Sequence, residues 1–247
     1  STMNNKYLII GIFTLLSVGI GSYILGNAYK YKYKSVQTIS VTGNAKKDFE
    51  SDIVKWSGSF SRTNFDLKTA SEQIKADRDA IEKYLIDQGV QKSEIRFEAV
   101  NVYKDFQNSY DEDTRRNYTK FNGYNLSQSV SVESNQLDKI DNVSREISTL
   151  ISQGIELSSQ PANYYYSKLE DLKLELIAQA SENARLRAEN IAKQANSKIG
   201  VLVKADLGVF QITGQYDNEE YSYGGAFNTT ARKKTANVTI KMNFISN

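Results

Sequence analysis

The fold is decided by the stretch at residues 39–61, which reads ISVTGNAKKDFESDIVKWSGSFS. Ile39 and Val41 alternate with polar residues, and the alternation returns at Val54, Trp56 and Phe60. Alternation of apolar and polar side chains is typical of a strand that buries one face. The stretch therefore predicts two half-buried strands at the start of a domain.

An amphipathic helix is predicted directly after these strands. Its apolar face consists of Leu67, Ala70, Ile74, Ile81 and Leu85. Thr69 and Glu72 have the spacing of a capping box, and Gly89 is placed as a left-handed stop. We expect this helix to cover one face of the sheet.

The next two strands are predicted on either side of a long loop. Alternation at Ile95 and Phe97 slips by one residue near Val100, and this change of phase predicts a bulge. Residues 105–120 read DFQNSYDEDTRRNYTK and have no apolar period, so they predict a hairpin loop. Alternation resumes beyond that loop, from Tyr124 onward.

A second helix and a short strand are predicted in the middle of the chain. The helix spans residues 137–150 and is stopped at Gly154. The strand passes through Tyr164 and Tyr166, after the single proline of the sequence.

The carboxyl-terminal part predicts the longest helix and two more strands. The helix covers residues 169–195 and carries small side chains at four-residue steps, which allow close packing. The strands are predicted at residues 199–212 and 236–244. Between them, residues 213–234 are rich in Gly, Tyr and Asn and predict a loop.

A six-residue echo relates the first two helices. LIDQGV at residues 85–90 recurs as LISQGI at residues 150–155. We interpret the echo as a repeated strand-helix-strand module; the alternative is that two unrelated helices are stopped by the same Gly-aliphatic signal. Repeated units of this kind predict an α+β domain in which helices cover one face of a mostly antiparallel sheet.

The amino-terminal segment predicts a transmembrane helix. Residues 7–25 read YLIIGIFTLLSVGIGSYIL and contain no charged residue. At about 1.5 Å per residue such a helix is roughly 30 Å long, which matches the hydrocarbon core of a bilayer. We therefore predict a membrane anchor and juxtamembrane segment at residues 1–34, and a soluble domain at residues 35–247.

Aromatic and basic residues flank this helix at positions suited to the membrane–water interface. The predicted interface residues are Lys6, Tyr7, Tyr29, Lys30, Tyr31, Lys32, Tyr33 and Lys34. Two pairs of small residues have the spacing at which membrane helices approach closely. These pairs are Ser17 with Gly21 and Ser22 with Gly26.

A cleaved signal peptide is the alternative interpretation of the same segment, because the sequence GNA at residues 26–28 offers a small-residue cleavage site. The apolar run is longer than the ~7–15 residues of a signal-peptide core, which favours retention. Orientation stays open at this point. One lysine before the helix and three after it predict a cytoplasmic carboxyl side by the positive-inside rule.

The composition excludes most familiar catalytic machinery. The 247 residues contain neither Cys nor His, so disulfides, thiolate or imidazole metal ligands and Ser-His-Asp triads are ruled out. The net charge of +2 depends on lysines in the first 34 residues, which hold no acid, so the remaining body is slightly acidic. A nucleic-acid binder would have a basic surface instead. We expect no catalytic residue, cofactor, metal ion or nucleic-acid partner.

Two acidic clusters are candidate sites for a cation. Asp111, Glu112 and Asp113 form one acidic cluster, and Asp217, Glu219 and Glu220 form another. Neither has the spaced ligands and central glycine of a calcium loop, so we interpret both as solvated loops.

The candidate partner-contact loop consists of Tyr216, Tyr221, Tyr223 and Phe227. Exposed aromatic side chains bury a large area at low entropic cost when a partner binds; packing back on their own sheet is the alternative.

Two stretches of the sequence resemble a known bacterial family, the SIMPL domain. Residues 39–61 resemble its first two strands, with Asp52 as the acidic residue before the second strand, and ARLRAENIAKQANSKIGVLVKADLGVF at residues 184–210 resembles its closing helix and strand. The resemblance extends over residues 36–244. Asn44 and Ala45 stand where Gly-Glu is usual, and Ser51 stands where proline is common, which bears on turn geometry alone.

The resemblance implies an exported, non-enzymatic protein of the periplasm or cell envelope, tied to tolerance of oxidative and other stress. Some members of the family form ring- or channel-like homo-oligomers, and the family has no established active site. The resemblance favours a periplasmic soluble domain on a single-pass inner-membrane anchor. We therefore expect a large homo-oligomer in the form of a ring, cage or channel.

Two other functions stay open. One is a monomeric or dimeric periplasmic binding module that captures a small-molecule ligand or a protein through residues 105–120 and 213–234. The other is an enzyme that uses paired carboxylates, for which the sequence brings no two acids to a defined separation.

Overall fold

The computed structural model of the chain describes residues 2–32, 37–112, 115–216 and 221–246. An apolar amino-terminal helix precedes a mixed domain of mostly antiparallel sheets, which confirms the predicted α+β class. The helices are α1 Thr2–Lys32, α2 Leu67–Asp87, α3 Leu137–Glu146 and α4 Leu169–Gln194. The strands are β1 Thr38–Glu50, β2 Ile53–Asn64, β3 Ile95–Phe97, β4 Asn101–Asp111, β5 Arg116–Ser134, β6 Glu156–Ser159, β7 Asn163–Tyr165, β8 Ile199–Leu207, β9 Gln211–Gly214, β10 Ala226–Phe227 and β11 Lys233–Ser246. The predicted boundary after residue 34 lies outside the described residues.

The chain forms two compact units. The larger unit comprises residues 44–183 and 207–240. The smaller unit comprises residues 1–43, 184–206 and 241–247.

The larger unit is built on a six-stranded antiparallel sheet. Its order is β3-β5-β2-β6, with β4 also paired to β5 and β7 also paired to β2. Val54, Trp56 and Phe60 of the central strand β2 all point to one face and are at most 1% exposed. Helices α2 and α3 pack against β2 and β5 and complete the hydrophobic core on that face.

Two strand-helix-strand units supply four of the six strands of this sheet, as the sequence echo predicts. The first is β2-α2-β3 and the second is β5-α3-β6. The last strand of each unit pairs with the first strand of the other, which gives the ferredoxin-like arrangement.

The two echo segments, residues 85–90 and 150–155, end their helices with the same backbone conformation. Gly89 has φ 82° and Gly154 has φ 79°, both in the left-handed region that favours glycine. The residue after each glycine donates its N–H back into the last turn, from Val90 to the Leu85 carbonyl at 3.0 Å and from Ile155 to the Leu150 carbonyl at 3.3 Å. This is the pattern of a Schellman motif. Its flanking aliphatic residues are buried in the core.

The start of α2 differs from the predicted capping box. Its N-cap is Asp66, whose carboxylate accepts the Thr69 backbone N–H at 2.8 Å and the Thr69 hydroxyl at 2.7 Å. The hydroxyl bond, and next to it the backbone bond, lower the pKa of the Asp66 carboxyl. The pairing of Thr69 with Glu72 was therefore wrong, because a carboxylate placed at the N-cap position takes the bonds instead.

Residues 105–120 are mostly paired strands, so the loop prediction was wrong there. Strands β4 and β5 pair from Asn101 opposite Ser127 to Asp111 opposite Arg116, and residues 112–115 make the connection. Strand β2 leaves β5 at Tyr124, so the distal part of this hairpin extends beyond the sheet as a two-stranded arm. Both faces of such an arm meet solvent, and no burial imposes an apolar period on its sequence.

The predicted bulge near Val100 is instead a break between strands. Strand β3 ends at Phe97 and β4 begins at Asn101. The irregularity in the ladder lies farther along, between Asp105 and Phe106.

The second sheet has the order β1-β11-β9-β10, and β8 also pairs with β11. The single strand predicted at residues 199–212 is thus two strands that follow each other. Gly208 lies at the break, where a Cβ would approach the Thr239 hydroxyl to 2.7 Å. Residues 213–234, predicted as a loop, include the short strand β10, which is parallel to β9.

Within the smaller unit, α4 lies close to β1. The Arg187 guanidinium donates to the Thr42 carbonyl at 2.9 Å. Ala184 and Ala188 are buried, as the predicted four-residue steps of small side chains require. Toward the end of the helix the buried position is Ala192, whereas Ile191 and Ala195, which the sequence pattern places in the stripe, are exposed.

Candidate membrane and assembly surfaces

Helix α1 has the length and hydropathy of a membrane span. Residues 9–30 form a 22-residue window with mean hydropathy 2.0, and none of it is buried against the rest of the chain. The Thr14 hydroxyl donates to the Ile10 carbonyl at 2.6 Å and the Ser17 hydroxyl to the Thr14 carbonyl at 2.9 Å. These polar groups are satisfied inside the helix, as a bilayer requires. A signal sequence passes the same test of length and hydropathy.

The predicted interface residues lie at both ends of this helix. Tyr29 and Lys30 are exposed in its last turns. Lys6, Tyr7, Tyr31 and Lys32 belong to α1, but their side chains lie outside the described residues. Tyr33 and Lys34 are outside the described residues altogether. The positions remain a prediction.

The two small-residue pairs occupy different faces of α1. Ser17 and Gly21 are separated by one turn, and Ser22 and Gly26 repeat that spacing about 140° around the helix. A Cβ at Gly21 or Gly26 would meet no heavy atom within 4 Å. The packing of the described chain therefore does not explain these glycines, and they stay available to a second helix.

Strand β8 carries an uncovered apolar face. Val201 is 69% exposed, Val203 is 58% exposed and Leu207 is 49% exposed. These residues alternate along the strand, so they share one side of it. The sequence predicted the strand but gave no sign that its apolar face lacks a cover.

The β4–β5 arm carries exposed aromatic residues along its length. Phe106, Tyr110 and Tyr118 are each at least half exposed. At its base, the Phe121 ring lies 5.7 Å from Phe106, 6.2 Å from Phe65 and 5.2 Å from Tyr124, measured between centroids. An isolated two-stranded hairpin is marginal in water, and this aromatic cluster is what fastens the arm to the sheet.

The candidate partner-contact loop divides into two pairs. Tyr221 and Phe227 contact their own fold: the Tyr221 hydroxyl accepts from the Asn237 amide at 2.9 Å, and the Phe227 ring lies 6.4 Å from the Tyr165 ring. Tyr216 and Tyr223 are almost fully exposed. The prediction that all four residues contact a partner is untested.

The same loop is held in place by one side chain. The Gln211 amide donates to the Ser222 carbonyl at 2.7 Å and accepts the Ser222 N–H at 3.2 Å, as a neighbouring strand would. Tyr221 and Tyr223 on either side help to line a pocket of about 480 Å³. Leu207, Val209 and Val238 form apolar parts of its wall.

A larger open groove of about 720 Å³ has a charged lining. Arg232 pairs with Glu50 at 2.7 Å and also with Asp138. The hydrogen bond to Asp138, opposed by desolvation, raises the pKa of the Arg232 guanidinium. Lys139 donates to the Gly89 carbonyl at 2.8 Å. Arg232, in the segment before β11, is therefore paired with an acid on β1 and an acid on α3, and these ion pairs join the three segments.

The acidic clusters carry no metal-site geometry in the part of the chain that the structure describes. Glu112 is exposed in the turn of the β4–β5 arm, and the Asp111 side chain and Asp113 lie outside the described residues. The second cluster, Asp217, Glu219 and Glu220, also lies outside them.

One family model matches the chain over residues 39–244. The family is SIMPL, described as a protein of unknown function (DUF541). The match includes both stretches on which the resemblance was based. No curated protein matches this sequence.

Proposed function

Because this chain belongs to the SIMPL family and begins with an uncovered apolar helix, we propose that it is a non-enzymatic, membrane-anchored cell-envelope protein that self-assembles into a large homo-oligomer. The assembly takes the form of a ring, cage or channel. The helix anchors each copy in the inner membrane, and the soluble domain faces the periplasm. A contribution to stress tolerance belongs to this proposal through the family resemblance.

The observation that carries the anchor is the exposure of α1 along its whole apolar window. A helix of this hydropathy buries its side chains either in protein or in lipid, since leaving them in water is unfavourable. The described residues provide no protein cover for it. A bilayer supplies the missing apolar environment.

Self-assembly is supported by two surfaces outside the membrane. The apolar face of β8 and the aromatic arm formed by β4 and β5 are both exposed, and both have strand edges that pair with nothing else among the described residues. Exposed edges and apolar patches are the features through which strands of separate chains join. Several anchors in one assembly would also hold it on the membrane more firmly than one anchor holds a monomer.

A structural role is supported by the chemistry of the grooves. The groove beside Arg232 contains groups that pair with one another, and the chain has no His or Cys to act as acid, base or nucleophile.

The molar mass of the detergent-solubilised full chain tests the assembly. We expect a sharp species many times the 27.9 kDa of one chain, with the detergent contribution subtracted by light scattering, and a ring or cage in electron micrographs. A monomer at all concentrations would contradict the proposal.

Single cysteines test the orientation, because these 247 residues contain none. Ser57→Cys on the exposed face of β2 should react with a membrane-impermeant maleimide in spheroplasts of a bacterial host. Asn4→Cys, on the other side of the predicted span, is the matched control and should react after lysis alone. The reverse pattern would place the soluble domain in the cytoplasm.

A second candidate function is a periplasmic binding module. The observation in its favour is the pocket beside Tyr221 and Tyr223, where two hydrogen bonds attach the backbone of Ser222 to the Gln211 side chain. A preorganised aromatic loop loses little entropy when it binds. A monomeric or dimeric mass in the detergent experiment would favour this function over the large assembly.

A further inference from the structure

The two sides of strand β8 differ in charge: one is apolar throughout, and the other carries the exposed Leu202 together with two charged residues. Val201, Val203, Ala205 and Leu207 alternate on the first side, and all four are exposed. Lys204 and Asp206 lie on the other side, where their charged groups are 2.7 Å apart. The two charges are equally spaced about Ala205 and opposite in sign, with Lys204 just before it and Asp206 just after it.

The backbone of β8 is free along one edge. In the part of the chain that the structure describes, β8 pairs with β11 alone. The Gly208 N–H donates to the Thr239 carbonyl of β11 at 2.8 Å. Gly208 directly follows β8. Continued back along the strand from this bond, the alternation of backbone groups in an antiparallel ladder turns the even-numbered residues toward β11 and the odd-numbered residues outward. Val203, Ala205 and Leu207 therefore present donors and acceptors to a further strand.

We propose that β8 pairs antiparallel with β8 of a second copy of this chain, with Ala205 on the twofold axis. In this register Val203 lies opposite Leu207 of the other copy, and Lys204 lies opposite its Asp206. The outward backbone groups of the odd-numbered residues then form the hydrogen-bonded pairs. Lys204 and Asp206 fall at a non-hydrogen-bonded pair, where opposing side chains are closest.

The charged residues favour this register over the registers shifted by two residues. A shift of the pairing by two residues in one direction places Lys204 opposite itself across the axis, and a shift by two in the other direction places Asp206 opposite itself. Like charges directly opposite each other are destabilising, whereas Lys204 opposite Asp206 is favourable twice in a twofold pair. An unrelated strand would have no reason to match a pattern that is complementary to itself, so the occupant is a second copy.

The apolar side adds a continuous contact. Val201, Val203 and Leu207 from both copies would form one apolar stripe across the joined sheets. The pairing also removes the exposed edge, which otherwise is a site for unspecific aggregation.

The inference rests on the proposed self-assembly and names one of its contacts. Charge variants of the full-length protein in detergent test it. Lys204→Asp gives each strand two acids, and Asp206→Lys gives each strand two lysines. We expect each variant alone to dissociate at a concentration at least about tenfold higher than the wild type, because both cross-axis pairs become repulsive.

Mixing the two charge variants supplies the decisive result. The acidic strand of one variant is complementary to the basic strand of the other, so the mixture should recover the wild-type mass as a mixed species. Recovery in the mixture also establishes that both variants are folded. Failure of the mixture to recover would overturn the β8 pairing.

Arg96→Asp is the matched control. Arg96 and Glu98 form an exposed ion pair with the same two-residue spacing, which begins on β3 of the other sheet. This variant should keep the wild-type mass. If it dissociated as well, the effect of the β8 variants would come from a change of net charge and not from the proposed pairing.

The outcomes separate this inference from the proposed assembly. Charge variants that keep a large wild-type mass would overturn the β8 pairing and leave self-assembly standing. A wild-type dimer that the variants reduce to monomers would support β8 and overturn the large assembly. A wild-type monomer would overturn both.

A cross-link gives an independent readout. Ala205→Cys places the one thiol of the chain on the twofold axis, where the two Cα atoms would be about 5.5 Å apart and within range of a disulfide. Mild oxidation should convert most of this variant to a covalent dimer. Ser57→Cys, exposed on the other sheet, should remain monomeric on denaturing gels.

Discussion

Strands β2 and β8 have the same alternating pattern and opposite surroundings. In β2, Val54, Trp56 and Phe60 are covered by α2 and α3 and are at most 1% exposed. In β8, Val203 and Leu207 alternate in the same way and are about half exposed. An alternating sequence therefore defines the apolar face of a strand but does not provide its cover.

The two apolar faces differ in exposure because different elements follow β2 and β8 in the chain. Strand β2 is followed at once by the amphipathic helix α2, which folds back on its face. Strand β8 is followed by β9 and β10 and then by β11, with no helix among them in the described residues. A strand without a helix of its own needs a cover from another molecule, and this is the physical basis for the pairing proposed at β8.

The largest effect is expected at the covered face. Phe60→Ala should lower the free energy of unfolding by about 3–5 kcal/mol, since it removes a fully buried ring and leaves a cavity. Urea unfolding of the full chain in detergent measures this loss, and the single tryptophan, Trp56, is a buried fluorescent probe. Phe106→Ala on the exposed arm is the matched control, with an expected loss below about 1.5 kcal/mol. Equal losses at both sites would contradict the distinction between covered and uncovered faces.

The next effect concerns the ion pair that attaches α2 to β2. Arg62 makes a bidentate contact with Asp77, at 2.5 and 2.7 Å, and the Asp77 side chain is 6% exposed. Asp77→Ala should cost about 2–4 kcal/mol because it leaves a partly buried guanidinium without its partner. Glu133→Ala removes a similar pair with Lys55 on the open face of the same sheet. That pair is at least half exposed, so its loss should stay within about 0.5 kcal/mol in the same urea titration.

Much of the covered part could be predicted from the sequence. The apolar positions of β2, those of α2 except the exposed Leu67, the long helix α4 and the two glycine stops followed from periodicity, because burial imposes a pattern that the sequence must carry. The β4–β5 arm could not be predicted in this way. Both of its faces meet solvent, so residues 105–120 show no period although they are paired.

The candidate surfaces were less predictable than the fold. The apolar helix at residues 9–30 is evident from hydropathy alone. The open face of β8 is not, since exposure depends on which elements fold over it. The aromatic loop gave a mixed result: nothing in the sequence distinguishes Tyr221, which bonds to Asn237, from the fully exposed Tyr223.

A smaller effect is expected at the cap of the helix that covers β2. Asp66→Ala should lower the thermal midpoint at pH 7 by a few degrees, because it removes the acceptor for the first-turn N–H of Thr69. Glu72→Ala tests the rejected capping box and should leave the midpoint unchanged. A larger loss at Glu72 than at Asp66 would restore the capping box as the true start of α2.

The effect of Asp66 should depend on pH. Hydrogen bonds from the Thr69 hydroxyl and backbone hold the pKa of the Asp66 carboxyl below its unfolded value. The stabilisation is therefore complete above the unfolded pKa of about 3.9 and is lost as the pH falls through the lower folded value. Differential scanning calorimetry should show the wild type and Asp66→Ala converging in acid. If the difference between the two thermal midpoints widened below pH 4, folding would raise the pKa of Asp66 instead of lowering it.

The smallest effect on folding is expected on the open face of β8. Val203→Thr keeps the shape of the side chain and replaces a methyl group with a hydroxyl, which exposed positions tolerate within about 0.5 kcal/mol. The same change at the fully buried Val54 should cost about 1–3 kcal/mol, because the hydroxyl has no water there.

Val203→Thr should nevertheless weaken association, since it places hydroxyls in the apolar stripe opposite Leu207. Unfolding by urea and the concentration dependence of molar mass, measured on the same samples, separate the two effects. If Val203→Thr destabilises the monomer as much as Val54→Thr does, then β8 is covered within its own chain and has no need of a second copy. If folding is intact and association is weakened, the apolar face of β8 needs a cover as the face of β2 does, and a second copy of the chain provides it.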